Sequence, residues 1–194
     1  MSQDAIARAR EEIAFCEAVL AKGGQSVLTE TLRDAGTLSA WAHYPEGDVY
    51  DPATGAQWYY HAHGPGEEGG EHGHFHCFVR PAGPNGPVHH LAAVGVDAYG
   101  KPLRLFTVNQ WVVGDDWLDA AATIPLIEKF DLHMPRPSYL VNRWLTAIFV
   151  AHHDAIAGLI AARDAKLAAH VPATDVAPRE DRALEVTSEI AYPA

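Results

Sequence analysis

Basic charge is scarce in this chain: Lys and Arg number 14 against 25 Asp and Glu, a formal charge of −11 over 194 residues. Nucleic-acid phosphates and anionic membranes are held by clustered cations, and the 14 are spread out, so neither partner is expected. Cysteine is nearly absent. The two present, Cys16 and Cys77, fall on the apolar phases of a helix and a strand and read as buried free thiols, so the expected setting is a reducing cytoplasm. No apolar run approaches the roughly 18 residues of a membrane span, and Met1-Ser2-Gln3-Asp4 leads into a charged helix instead of a basic, then apolar, leader. Also missing are Gly-x-Ser-x-Gly, Cys-x-x-Cys, phosphate-loop and His-Glu-x-x-His patterns, and with them the chemistries that those spacings announce.

Histidine is what the chain has in plenty. Five of its 12 histidines lie between residues 61 and 76, as Tyr59-Tyr60-His61-Ala62-His63, a Gly/Glu-rich link, then His72-Gly73-His74-Phe75-His76. Strand side chains alternate between faces, so His61 and His63 share one face, and His72, His74 and His76 share one face of the next strand. Antiparallel pairing about the link predicts His63 near His72 and His61 near His74. Phe75, Cys77 and Val79 take the opposite, core phase and fix which way the histidines point. Convergent imidazoles suit a transition ion; a hydrogen-bonded histidine network, a pH-responsive patch or scattered surface histidines are the competing readings.

The remaining periodicities predict one α+β domain over residues 1–170, followed by an extended or mobile tail, 171–194. An antiparallel sheet of about five strands, residues 38 to 113, is expected to pack against an N-terminal helix and a long C-terminal helix. Ile6, Ala9, Ile13, Cys16 and Leu20 form the stripe of the first helix, from about Asp4 to Lys22. Ser138 caps the long one, Tyr139 to about Ala168, with His152 on its stripe as a core histidine. A hairpin about Tyr99-Gly100 predicts His90, Thr107, Asn109 and Trp111 on one face, and Leu91, Ala93, Phe106 and Val108 on the other.

Gly55, His61, His63, Glu67 and Gly73, with Pro84, Gly86 and His89, resemble the two cupin motifs. That likeness implies His61, His63, Glu67 and His89 as ligands of a mononuclear metal inside a β-barrel. Tyr59 to His63 with Gly70 to His76 is more similar to an uncharacterised bacterial family that carries Tyr-x-His-x-His and Gly-Glu-His-Gly-His-Phe-His, with no assigned function. The residues themselves lead to a metal site drawn from His61, His63, His72, His74, His76 and His89, holding iron, copper or zinc. Glu67, Glu68, Glu71 and Tyr59 are candidates for moving protons, and Asn109 and Trp111 for lining a vacant position. The expected function is a metal-dependent enzyme, oxygenase-like or hydrolytic, acting on a small molecule. A non-catalytic protein that binds or senses a metal or haem is the alternative, and a homodimer is one assembly the chain could form.

Overall fold

The protein is described here by a computed structural model covering residues 1–39, 42–63 and 70–193. Helix α1 (Gln3–Lys22) starts where the Ser2 hydroxyl accepts from the Ala5 amide, 3.2 Å away, and stops at Gly23. A short α2 (Val27–Thr31) follows, closed by a reciprocal Ser26–Thr29 capping box. Then come five strands in sequence, β1 (His43–Tyr50), β2 (Ala56–Ala62), β3 (Glu71–Val79), β4 (His89–Asp97) and β5 (Pro102–Val108). Each is antiparallel to the one before.

One face of the sheet carries the main core. Trp58, Tyr60, Phe75, Cys77, Val94 and Leu105 are essentially solvent-free there. They lie under helix α5 (Tyr139–Ala151), whose Trp144 ring is 5.8 Å from Phe75. The alternation that fixed the core phase of β3 in the sequence is therefore the alternation that seats the helix layer. Buried polar groups on this face are paired. Trp58 Nε1 donates to Asn142 Oδ1 at 2.9 Å, and Asn142 Nδ2 donates to the Met134 and Arg136 carbonyls at 2.9 and 3.0 Å. Helix α1 packs outside α5, tied to it by Arg143 on Glu12 and by Trp144 Nε1 on Glu17. Both cysteines are buried free thiols.

Three departures from the sequence reading have physical causes. The long C-terminal helix is two, α5 and α6 (His153–Ala169), bent by 75° about His152. One straight cylinder cannot follow both α1 and the far side of a twisted sheet, and α6 turns to reach the last strands. His152 is buried as expected, its ring edge-on to Tyr192 at 4.8 Å.

The second departure is the tail: residues beyond 171 supply a sixth strand, β6 (Val186–Ala191), antiparallel to β5. Its approach is pinned by the side chains expected to line the site. Asn109 Nδ2 donates to the Pro178 and Leu184 carbonyls, and Trp111 Nε1 donates to Leu184 as well. The third is the end of β5. Asn109 caps α3 (Gln110–Val113), so the strand expected to run to Val113 turns helical instead, with a short α4 (Ala120–Thr123) next in the chain. The sheet is open, in the order β1-β2-β3-β4-β5-β6, not the double-sheet barrel implied by the cupin likeness. Among the described residues, no single helix is long and apolar enough to cross a membrane.

Replacing Asn142 with alanine strands the Trp58 N–H inside the core and removes the donor to two part-buried carbonyls. A loss of about 2–3 kcal/mol is expected, because each buried polar group left unpaired costs about 1–3 kcal/mol. Urea unfolding of Asn142→Ala against the wild type measures it; a change below about 0.5 kcal/mol would contradict this account of the core.

Candidate metal centre

The second face of the sheet holds the histidines, and small irregularities in the ladders decide which of them meet. Register pairs His61 with His74 and Tyr59 with His76, and the His61 and His74 rings lie 5.3 Å apart, centroid to centroid. Strict alternation would bring His72 to the same face. Against β4, however, the register shifts between Glu71 and Gly73, a bulge that re-aims the side chains around it. His72 turns to the helix-covered side, where its Nδ1 is hydrogen-bonded to the Tyr60 hydroxyl at 2.7 Å, a hydroxyl whose pKa is pushed up by burial. Glu71 takes the vacated place among the imidazoles. A side chain at position 73 is excluded by the same crossing: its Cβ would sit 2.2 Å from the His61 carbonyl oxygen and 2.4 Å from the Tyr60 hydroxyl.

Three donors then converge. His63 Nε2 is 3.0 Å from His74 Nδ1, His74 Nδ1 is 3.1 Å from Glu71 Oε1, and His63 Nε2 is 3.7 Å from that same oxygen. Donors sharing one ion through bonds of about 2.1 Å stand roughly 3.0–3.4 Å apart at octahedral or tetrahedral angles, so this spacing fits a single ion with little movement. Among the described residues, these three form the single His/Cys/Asp/Glu group close enough to do so. Without an ion the contacts are a proton-sharing set. The ionised Glu71 only accepts, so His74 Nδ1–H faces both it and His63, and an ion would displace that proton.

Arg104 holds the carboxylate in place. Its Nε and one terminal nitrogen donate to the two Glu71 oxygens at 2.6 and 3.2 Å, and its other terminal nitrogen donates to Glu189 at 2.7 Å. The guanidinium also lies 4.0 Å above the Phe106 ring. Burial alone would raise the Glu71 pKa, but the bonds from His74 and Arg104 and the Arg104 charge hold it at about 2. Sequence reasoning cast Glu71 as a proton carrier and missed Arg104. The signal for Arg104 was Gly95, opposite it in β4, where any Cβ would fall 2.3 Å from Glu71 Oε2.

The other sequence candidates are distributed around this group. His61 flanks it, 5.9 Å from His63 and 5.3 Å from His74 between ring centroids. His76 lies behind His74, ring to ring 4.6 Å, and its Nδ1 is 3.2 Å from His90 Nε2. A bulge in β4 opposite Cys77 and Phe78 brings His90 onto this face and reverses the phase expected beyond it. Ala93 and Phe106 consequently join the histidines, whereas Thr107 points to the helices and bonds Ser188. Tyr59 is stacked on His43 at 3.6 Å and stands beside His76, not in the three-donor group. His89 is turned to the Asp116 carbonyl, and Asn109 and Trp111 hold the C-terminal segment. Glu67 and Glu68 lie outside the described residues.

Burial dominates the titration of the inner imidazoles. It lowers the pKa of His74, against partial support from Glu71, drives that of His76 well down, and takes His90 to about 3. All three are neutral near pH 7, as ligands or acceptors must be. In the unfolded chain they bind protons near pH 6.5, so acid favours unfolding. Their contribution is complete above about pH 6.5 and drains away as pH falls, with the His90 part continuing toward about 3. Denaturant melts of the metal-free protein at pH 7.5 and 5 are expected to show a clear loss at pH 5, and equal midpoints would refute the burial argument. Gly95→Ala is expected to push Glu71 aside with little damage to the sheet; a crystal structure of the variant with Glu71 still on His74 would contradict that.

No curated protein and no solved structure matches the chain. A family model does, the domain of unknown function DUF6969, over residues 7–192. That match takes in α1 from residue 7 onward, all six strands and the whole histidine face, and the chain belongs to this DUF6969 family.

Proposed function

We propose that the protein binds one divalent transition ion through His63, His74 and Glu71, with His61 as the adjacent imidazole, and uses it to act on a small molecule. The carrying observation is the convergence of two imidazole nitrogens and one carboxylate oxygen at ligand spacing, on the wall of a cleft of about 720 Å³. Two histidines and a carboxylate with open positions make a donor set suited to iron(II) or zinc, with copper the less natural occupant. Such an ion supplies Lewis acidity and a more acidic bound water.

The chain's own groups prepare the place. Arg104 keeps Glu71 ionised and oriented, as outer partners of ligands commonly do. Buried His76 and His90 hold a neutral, hydrogen-bonded floor behind His74. Phe106 packs edge-on against the His74 ring at 5.1 Å and keeps that side dry.

Protons compete with the ion for the histidines, so affinity is expected to collapse as pH falls through about 6.5. Zinc titration by calorimetry at pH 7.5 is expected to show one site per chain, and added zinc to raise stability by about 2.7 kcal/mol at a hundredfold excess over Kd. His74→Ala should lose most of both effects and chelator should do little at pH 5, while His170→Ala, whose ring is bonded to Asp181, should keep both. An unchanged wild-type melt with zinc at pH 7.5 would return the cluster to a hydrogen-bonded network.

A further inference from the structure

The cleft beside the three donors is built from an unlikely pairing of walls. Leu103, Phe106, Val186 and Ala191 give it an apolar body, and Glu185 and Glu189 stand along the β6 side. Arg104 is the single Lys or Arg among its described lining residues. Its charge is already committed, to Glu71 on one side and Glu189 on the other. A carboxylate or phosphate group entering the cleft would therefore find no free guanidinium or ammonium among its described lining residues; its one attraction would be the proposed ion at the donor group, and to reach it the anion would have to pass Glu185 and Glu189. Recognition of planar or tetrahedral anions normally relies on such a group, commonly a bidentate arginine.

We infer that the substrate or ligand of this site is a small organic cation, an amine carried on an apolar body, and that Glu185 and Glu189 select it. The amine meets the two carboxylates, and the apolar part lies along Val186, Leu103 and Phe106 toward the donor group. This deepens the metal reading and rests on it. The discrimination is a difference of affinities in which anions are turned away by unpaired like charge, and not only cations attracted. Glu189 has a double part, since it also occupies Arg104; neutralising it leaves Arg104 with charge to spare and should turn the cleft toward anions.

The test uses the full chain loaded with zinc and three probes of one shape, benzylamine, benzyl alcohol and benzoate, titrated by calorimetry at pH 7.5. Benzylamine is expected to bind at least about tenfold tighter than benzyl alcohol, with benzoate weakest. In Glu185→Gln/Glu189→Gln the amine preference should vanish and benzoate should gain. A zinc titration and a thermal melt of that variant establish that site and fold are intact; should it fail to fold, Glu185→Gln alone is expected to lower the amine preference. Benzoate binding as well as benzylamine in the wild type, or an amine preference that survives in the folded double variant, overturns the inference while leaving the metal site standing. Failure of the wild type to take up zinc at all overturns both.

Discussion

Most side chains on both faces of this sheet are buried, and a buried polar group must find a partner or pay its full desolvation cost. On the helix-covered face the demand is met by apolar side chains and a few closed pairs such as Trp58 with Asn142. On the other it is met by imidazoles bonded to one another and to Glu71. An imidazole can do this because in its neutral form one ring nitrogen donates while the other accepts. A row of carboxylates or ammonium groups in the same positions would repel itself and could not be buried. The same requirement explains Arg104: it is the counter-charge that lets Glu71 enter a buried cluster still ionised.

The proposed centre follows from that economy instead of being added to it. A face filled with neutral nitrogen donors needs one anionic oxygen and one gap to become a coordination site. Glu71 provides the oxygen because a bulge delivers it there. Behind it, His76 and His90 are too deeply set to serve an entering molecule. Their part is to fix His74, with Phe106 against its other side.

Much of this was legible in the sequence, and the failures are instructive. Alternation around Phe75, Cys77 and Val79 correctly assigned the two faces of β3, and the His61–His74 neighbourhood followed from the link between the strands. What alternation cannot show is an extra residue in a ladder. One bulge exchanged His72 for Glu71, and another reversed the phases of Ala93, Phe106 and Thr107. Period-two reasoning counts residues from one end, so each bulge corrupts everything beyond it. The last strand was hidden for a different reason. Val186-Thr187-Ser188-Glu189-Ile190-Ala191 has the mixed polarity of an edge position and no apolar run to betray it.

That last strand has a consequence for how the protein comes into being. The partners Arg104 and Glu189 stand 85 residues apart in the chain, and β6 is made after every helix and strand it will touch. A ribosome-bound chain therefore presents its histidine hairpin, already able to pair locally, well before the cleft has its second wall. Strand pairing over such a separation carries a large loop-closure cost and comes late in folding. The proposed donors are in place first and the proposed selecting carboxylates last, so an ion captured during synthesis would be held by a cluster that still lacks its gatekeeper.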